Sequence, residues 1–235
     1  MITLYNFGRF GGLNDVSPFC LKLEAYLRMS GLDFEVKSGQ KYLMKAPKKK
    51  LPYIMDEGQA IGDSNLIIEY LKQKYGDRLD GWLTQEQQAI AHAMTRMIDE
   101  NLYWSMVHAR WMLDHNWQKL RALFFAGMPF PLNKFIPPHI RKGVKNALYQ
   151  HGIGRHSDAE IAEIAHHDLK ALSDFLGDKE FFMGKQPCSL DAAAYGILAE
   201  LILLPDFTAP VMDHAKSFAN LADYAKRVDQ RYFTG

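Results

Sequence analysis

The sequence predicts an α+β chain in two parts, and three observations predict it. Within the first 75 residues, short runs that alternate apolar and polar positions are interleaved with amphipathic helical patterns, in the order β-α-β then β-β-α. Beyond Leu83 the periodicity is purely helical. The segment 191–204 is apolar on nearly every face, which is typical of a buried central helix. We place a boundary near residues 77–84, giving domains 1–77 and 84–235.

Each element of the first part carries a start or stop signal. Ser17 is a good N-cap and Pro18 suits the first helical position, so a helix starts there. Gly31 ends that helix as a C′ residue. The predicted strands are 2–7, a half-buried strand at 34–36, and a hairpin of 53–55 and 59–61 around Asp56-Glu57-Gly58, followed by a helix that closes at Gly76.

The second part is punctuated by capping boxes. Thr84–Gln87 and Ser157–Glu160 fit this pattern, and the helices they open run to Leu113 and Leu176. Further helices are predicted at 117–126, 191–204 and 217–231. The segment 127–138 is rich in proline and phenylalanine and interrupts the helical pattern.

Composition excludes several classes of function. The chain has 235 residues, a net charge of +1 and no basic half, which argues against nucleic acid as the main partner. Two distant cysteines imply no disulfide framework, and a reducing compartment fits best. No signal-peptide pattern and no run of about 18 apolar residues is found. We therefore expect a cytoplasmic protein without a transmembrane segment.

Ser17 is the first candidate for chemistry. A hydroxyl and free N–H groups at a helix N-terminus favour a bound thiolate, although Ser17 can equally serve only as a cap. Cys20 stands where the second thiol of a Cys-x-x-Cys motif would be, but the first is missing. A buried packing cysteine is the better interpretation, and a thiol reductase would require an exposed Cys20.

A second group of candidates lies about 35 and 45 residues further along. A cis Leu51–Pro52 bond would present the main chain of Leu51 to a peptide ligand, whereas the alternative is an ordinary edge-strand proline. Asp63 and Ser64 open a helix, where they cap it, hold a ligand carboxylate, or do both. Lys50 ends a run of lysines that is either a solvated loop or a partner for a ligand carboxylate.

The helical part offers weaker signals. Trp104, His108 and Trp111 share one helical face beside Tyr103, which indicates core packing or the lining of an acceptor pocket. The nine histidines match no zinc spacing, so no metal is assigned. The segment 124–140, followed by basic residues, is a lid or packing insertion, with a membrane-surface segment as the alternative.

The chain resembles glutathione S-transferases, and within that superfamily the failed-axon-connections and metaxin-like group. The strings that carry the resemblance cover nearly the whole chain: Ser17-Pro18-Phe19-Cys20-Leu21-Lys22, Tyr26-Leu27-Arg28-Met29, Ile67-Ile68-Glu69-Tyr70-Leu71, Tyr103-Trp104, His151-Gly152-Ile153-Gly154-Arg155, Leu176-Gly177-Asp178-Lys179 and Leu190-Asp191-Ala192. The resemblance implies a thioredoxin-like domain followed by an all-α domain.

The resemblance also implies a function and its residues. It places the activating hydroxyl on Ser17, the cis-proline on Pro52, and glutathione, as co-substrate, on Leu51-Pro52, Asp63-Ser64 and Lys50. A small apolar electrophile would then occupy a pocket formed by Tyr103, Trp104, Trp111 and Arg155. A non-catalytic protein-interaction module is the alternative, and a homodimer is possible.

Four features depart from the usual transferase pattern. Asp63 stands where Glu or Gln is usual, and the loop before Ser17 is long. Cys188 opens the buried capping box, so Asp191 must do more of the capping or Ser189 must replace the cysteine. Arg155 has no ordinary counterpart, and its glycine-flanked loop either covers the site or forms a helix-entry turn.

Overall fold

A four-stranded mixed sheet forms the core of the first part. The computed structural model describes residues 1–233. Strand β1 at the centre pairs parallel with β2 and antiparallel with β3, which pairs antiparallel with β4, giving the order β2-β1-β3-β4. The strands are β1 (Ile2–Asn6), β2 (Phe34–Ser38), β3 (Tyr53–Asp56) and β4 (Gln59–Gly62). This thioredoxin-like arrangement confirms the predicted α+β class.

Two helices flank the sheet. Helix α1 spans Pro18–Met29 and α2 spans Ser64–Tyr75, with a single 3-10 turn, Gln40–Tyr42, between β2 and β3. Gly31, at φ 62°, follows the Ser30 C-cap of α1, which is the left-handed position where glycine carries no Cβ penalty. Nine residues then connect α2 to α3.

The second part is entirely helical. Its helices are α3 (Gln85–Met97), α4 (Tyr103–Met112), α5 (Asp114–Phe125), α6 (Leu132–His151), α7 (Asp158–Leu176), α8 (Ser189–Leu198), α9 (Pro210–Ser217) and α10 (Ala219–Tyr232). A π-helical turn, Ile98–Leu102, joins α3 to α4, so the long helix predicted from Thr84 to Leu113 is continuous but locally widened. Both predicted capping boxes form.

Helix α6 was not predicted from the sequence, which indicated only an interruption of the helical pattern at 127–138. It starts within the proline-rich segment and includes Pro137 and Pro138. Pro137 has no N–H to bond the carbonyl of Asn133 one turn before it. The Nη2 group of Arg121, from α5, donates to that carbonyl at 3.2 Å instead. A tertiary contact therefore satisfies a group that the helix cannot.

The C-terminal end contains two helices where the sequence suggested one. Pro210 occupies the start of α9, and the chain turns at Phe218 before α10 begins. Among residues 1–233, no helix is long and apolar enough to cross a lipid bilayer.

The two parts share one hydrophobic core, because α1 packs directly on α8. Gly196 makes this possible: a Cβ at that position would lie 2.4 Å from the Pro18 carbonyl oxygen and 3.0 Å from the Lys22 nitrogen. The segment between α2 and α3 is also bonded to the second part, since Asp80 accepts hydrogen bonds from the N–H and the hydroxyl of Ser189, at 2.7 and 2.6 Å. The domain limits 1–77 and 84–235 stay a prediction.

Candidate functional site

Ser17 lies at the N-terminus of α1, half-buried, with extended backbone angles. Its side chain does not cap the helix, and its hydroxyl acts to lower the pKa of the nearby Cys20 thiol. The hydroxyl is therefore not used for capping. The free N–H groups of the first turn of α1 lie at the same helix N-terminus as this hydroxyl. This is the arrangement that favours an anion at a helix N-terminus.

Asp15 organises the loop in front of Ser17, and sequence reasoning missed it. Its buried carboxylate accepts three backbone bonds, from the N–H groups of Phe7 at 2.8 Å, Gly8 at 2.9 Å and Ser17 at 2.8 Å. Burial raises the pKa of Asp15 to about 7, with the N–H donors opposing the rise and Glu200 adding to it. The only local signal is an Asp two residues before an N-cap, after a glycine-rich loop.

A buried ion pair fixes the same loop from the helical part. Arg110 of α4 donates to the Val16 carbonyl at 3.0 Å and pairs with the carboxylate of Glu200. Its guanidinium also lies 4.7 Å from the ring centroid of Phe207. The residue immediately before Ser17 is thus held by a helix 94 positions away.

Cys20 is fully buried one turn into α1. Burial raises the pKa of its thiol well above the usual value, the Asp15 carboxylate adds to the rise, and the Ser17 hydroxyl opposes it. A thiol without solvent contact and with a raised pKa is a packing group rather than a nucleophile. A thiol reductase would require an exposed Cys20, and the structure therefore argues against that alternative.

The Leu51–Pro52 peptide bond is cis, as the resemblance implies. Leu51 is buried, and within residues 1–233 neither its N–H nor its C=O has a hydrogen-bond partner. Lys50 beside it is exposed and forms no ion pair with any described residue. A main-chain donor and acceptor and one free cation are thus available at this position.

Asp63 and Ser64 begin α2. The exposed Asp63 has a φ of 86°, and its Oδ1 accepts from the N–H groups of Asn65 and Leu66 at 3.1 and 3.2 Å, so it acts as the helix cap. Ser64 is buried, and within the described residues its hydroxyl has no hydrogen-bond partner. The cap takes up two helix N–H groups, and the Ser64 hydroxyl stays free.

Three contacts bring these segments together. Cys20 and Leu51 belong to one buried apolar cluster, which places the first turn of α1 against the segment before β3. Tyr53 is paired with Gly62 across the hairpin, so the start of α2 follows at the same edge. Asn65 then accepts a 2.7 Å bond from the Lys22 ammonium of α1. Ser17, Leu51 and Ser64 therefore surround one end of the sheet.

The predicted acceptor residues divide between two faces of α4. Tyr103 meets α1, with its ring centroid 4.7 Å from that of Phe19, and burial raises the pKa of its hydroxyl. The crevice between α1 and α4 holds a cavity of only about 10 Å³, so it is packed. Trp104 instead stacks on His151 at 4.8 Å, beside α6.

The other two predicted acceptor residues contact the helical part. Trp111 packs against Trp117 of α5, with 5.5 Å between ring centroids. Arg155 donates to the Tyr149 carbonyl at 3.1 Å and covers the Tyr149 ring at 4.6 Å. These contacts attach Arg155 to the end of α6. The assignment of Trp104, Trp111 and Arg155 to an acceptor pocket stays a prediction.

The buried capping box of α8 works through Asp191. Its carboxylate accepts from the Phe182 N–H and the Cys188 N–H, both at 2.9 Å, and from the Cys188 thiol at 3.2 Å. Burial raises the pKa of Asp191 to about 6, and these donors oppose the rise. Because Ser189 is bonded to Asp80, the carboxylate and not the serine compensates for the cysteine.

Comparisons with known proteins identify the family. The model of the glutathione S-transferase N-terminal domain matches residues 18–117, and that of the C-terminal domain matches residues 165–228. An isoprene-epoxide glutathione S-transferase from Rhodococcus sp. strain AD45 is 36% identical, and the alignment covers 99% of both chains. The chain belongs to the glutathione S-transferase family.

Other relatives show the breadth of this family. Failed axon connections from Drosophila melanogaster is 35% identical across 99% of this chain and 58% of its own length. Metaxin-3 from Xenopus laevis is 27% identical across 99% of this chain and 77% of its own. A glutathione S-transferase of Ceriporiopsis subvermispora, solved with glutathione, superposes with a TM-score of 0.65 at 16% identity. The superposition covers 100% of the present chain and 98% of the Ceriporiopsis chain. That likeness shows the fold alone.

Proposed function

We propose that the protein binds glutathione and adds its thiolate to a small apolar electrophile. The observation that carries this proposal is the meeting of Ser17, the unpaired main chain of Leu51 and the unpaired hydroxyl of Ser64 at one end of the sheet. A γ-glutamyl tripeptide presents a thiolate, peptide N–H and C=O groups, and a carboxylate. Ser17, the Leu51 main chain and the Ser64 hydroxyl supply one partner for each of these groups.

Each group has a defined role in the proposal. The Leu51 N–H and C=O pair with the cysteinyl unit in the manner of an added strand. The Ser64 hydroxyl and its own N–H hold the γ-glutamyl carboxylate at the α2 N-terminus, with Asp63 facing the ammonium and Lys50 facing the glycyl carboxylate. The Ser17 hydroxyl donates to the thiolate, and every unit by which it lowers the thiol pKa corresponds to about 1.4 kcal/mol.

The name of the Rhodococcus relative suggests an epoxide as the electrophile. The thiolate attacks an epoxide carbon, the C–S bond forms as the C–O bond breaks, and the alkoxide takes a proton from water. Because the crevice between Phe19 and Tyr103 is packed, the electrophile lies at its outer edge, near Ser17.

Calorimetry with glutathione tests binding first. Wild type should bind in the micromolar to low millimolar range, and Ser64→Ala should weaken binding about fivefold, the size of one lost hydrogen bond. Ser217→Ala, which removes a hydroxyl bonded locally to His214, is the matched control and should bind as wild type. The conjugation of 1,2-epoxybutane is then compared between wild type and Ser17→Ala. Wild-type protein that gives no heat at several millimolar glutathione contradicts the proposal.

A non-catalytic interaction module is the second candidate. The Asp63 carboxylate occupies two N–H groups at the start of α2, which favours this alternative because they are no longer offered to a ligand. The failed-axon and metaxin relatives point the same way. Glutathione binding without turnover of any epoxide would favour the module.

Location and assembly complete the proposal. We place the protein in the cytoplasm, supported by two cysteines that are free and buried. A homodimer is common in this family, and light scattering on the purified chain distinguishes about 54 kDa from the 26.9 kDa protomer.

A further inference from the structure

The segment 115–157 differs in charge from the rest of the chain. It contains seven of the 28 Lys and Arg residues and none of the 27 Asp and Glu residues. It covers nearly all of α5, the connection 126–131, α6 and the 3-10 turn Ile153–Arg155. Because the whole chain has a net charge of only +1, the residues outside this segment are net negative. The positive charge is therefore concentrated on the pair of helices α5 and α6.

The connection between α5 and α6 projects large apolar side chains into solvent. Phe130 is 80% exposed, and Leu132 and Phe135, near the start of α6, are 48% and 66% exposed. Met128 packs against the core, so the segment that carries these side chains is anchored. We call residues 128–135 the α5–α6 tip. Contiguous exposed apolar groups of this kind mark a docking surface for protein or lipid.

The exposed face of α6 is apolar near its start and basic further along. At 100° per residue, Phe135 and Lys142 lie about 20° apart around the helix axis, and Leu132 lies about 60° from Phe135. The opposite side of the helix, which includes Pro137 and Leu148, is buried. At 1.5 Å per residue, Lys142 lies about 10 Å from Phe135 along the axis. Apolar and cationic groups therefore succeed each other along one exposed face.

The cations on this face have no counter-charge. Lys134, Lys142 and Lys145 are exposed, and within residues 1–233 their side chains form no ion pair or hydrogen bond. Arg141 differs, because its guanidinium pairs with Asp114 at 2.7 Å. Three ammonium groups on α6 are therefore free to meet an anionic surface.

The shape and chemistry of the α5–α6 tip fit a lipid bilayer better than a protein groove. A bilayer accepts projecting aromatic rings in any orientation, whereas a protein partner needs a pocket for each ring. Apolar groups at a membrane surface enter the boundary between headgroups and acyl chains by about 5–10 Å. Lysines one to three turns further along a helix then reach the phosphates, since their long side chains extend toward the headgroups. The absence of acidic residues from the segment 115–157 favours anionic lipid.

The α5–α6 tip adjoins the candidate glutathione site. Phe124, at the end of α5, packs edge-on against Phe7, with 5.6 Å between ring centroids. The Phe7 N–H donates to the carboxylate of Asp15, which also accepts from the Ser17 N–H. The chain therefore leaves the loop that positions Ser17 only a few residues before the exposed phenylalanines.

We propose that the α5–α6 tip docks the protein on an anionic phospholipid bilayer. Phe130 and Phe135 enter the boundary between headgroups and acyl chains, and Lys134, Lys142 and Lys145 meet the phosphates. Docking is peripheral and reversible, because a small apolar anchor with a few cations binds a membrane only marginally. It places the candidate glutathione site close to the bilayer, where an apolar electrophile accumulates. That consequence rests on the proposed function, whereas docking itself does not.

Co-sedimentation of the whole chain with vesicles tests docking, with no glutathione or electrophile present. Wild type should bind vesicles of phosphatidylcholine with about one-third phosphatidylserine at low salt, and should bind pure phosphatidylcholine vesicles far more weakly. Lys134→Gln/Lys142→Gln should lower the partition coefficient on anionic vesicles about 25-fold, since each lysine near the surface contributes about fivefold. Lys216→Gln/Lys226→Gln removes two exposed lysines elsewhere and should bind as wild type.

Substitutions in the α5–α6 tip test the insertion of the phenylalanines. Phe130→Ser/Phe135→Ser should weaken binding to anionic vesicles at least about tenfold, because the apolar contribution is lost. Met44→Ser changes a side chain that is 71% exposed in the loop before β3, and this control should bind as wild type. Phe130→Trp should bind as wild type with a blue shift of its emission on anionic vesicles, whereas Met44→Trp should add no shift. All these variants change only exposed side chains, so folding is preserved.

Light scattering of the same proteins without vesicles tests the other occupant, a second copy of this chain. If wild type is a dimer that Phe130→Ser/Phe135→Ser dissociates, the tip is an interface between copies and the proposal is overturned. Absence of binding to anionic vesicles, equal binding to neutral vesicles, wild-type binding by Phe130→Ser/Phe135→Ser, or no blue shift of Phe130→Trp would each overturn it as well. Because glutathione is absent throughout, these results are independent of the proposed function.

Discussion

Asp15 holds Ser17 in place through a single short bond: the Ser17 N–H donates to Asp15 Oδ1 at 2.8 Å, while Oδ2 accepts from Phe7 and Gly8. The carboxylate thereby joins the end of β1, the glycine-rich loop and the start of α1. Because the group is buried, its charge is costly, and burial raises its pKa to about 7. The position of the candidate thiolate partner is therefore coupled to a proton near neutral pH.

The first prediction concerns stability against pH. The folded-state pKa of Asp15 lies above the unfolded value, so its contribution to stability is present below about pH 4 and is lost as pH rises through about 7. Between pH 5 and 8 this one group should lower the free energy of unfolding by on the order of 2 kcal/mol.

Urea denaturation of wild type and Asp15→Asn at several pH values measures this contribution. The variant loses hydrogen bonds at every pH, so only the slope is informative, and it should be flatter. Asp168 and Asp191, whose pKa values burial also raises to about 6, remain in both proteins and cancel in the comparison. Parallel slopes would show that Asp15 does not titrate in this range.

The contrast between Ser17 and Asp15 shows how far the sequence alone reaches. Asp63 and the capping boxes are local signals, because a cap and its partner lie within three residues, and the sequence predicts them. The sequence also predicts the position of Ser17 before α1, but its side chain does not cap the helix. Arg110 donates to the Val16 carbonyl across 94 residues of sequence, and Arg121 of α5 donates to the Asn133 carbonyl that Pro137 cannot bond. Residue spacing in the sequence predicts neither of these two contacts. Tertiary contacts of this kind override local propensity.

A second prediction concerns the charge network between the two parts. Asp99 Oδ2 accepts from the buried Lys22 ammonium at 2.6 Å, from Asn65 at 3.0 Å and from Arg96 at 3.1 Å. Asp99→Asn leaves Lys22 without its anionic partner, so we expect a loss of about 3 kcal/mol in the free energy of unfolding at neutral pH.

The double variant Lys22→Met/Asp99→Leu is the control for this network. It removes both charges and should be less destabilised than Asp99→Asn, because no buried charge is left unpaired. Burial already lowers the pKa of Lys22, so Asp99→Asn should regain stability as pH rises through the lowered folded-state pKa toward the unfolded value. A single variant that equals wild type in urea midpoint would contradict this account.

A third prediction tests the contact between α1 and α8. Gly196→Ala introduces a Cβ only 2.4 Å from the Pro18 carbonyl oxygen, a backbone atom that cannot move aside cheaply. We expect destabilisation of about 1–3 kcal/mol and weaker glutathione binding, since Pro18 adjoins Ser17.

Gly143→Ala is the matched control for Gly196→Ala. Gly143 lies within α6 with no atom near the added methyl group, so this change should stabilise the chain by up to about 1 kcal/mol. Urea midpoints of the two variants against wild type decide the matter. Equal effects of the two substitutions would show that the α1–α8 contact is looser than described.

The last prediction concerns thiol reactivity. Cys20 and Cys188 are both fully buried, and burial raises the pKa of each thiol. Because the thiolate is the reactive form, neither should react with 5,5′-dithiobis(2-nitrobenzoate) in the native protein, whereas both should react in urea. Cys188→Ser isolates Cys20. Rapid modification of native Cys188→Ser would show that Cys20 reaches solvent. That result would support the thiol-reductase alternative, against which the burial of Cys20 argues.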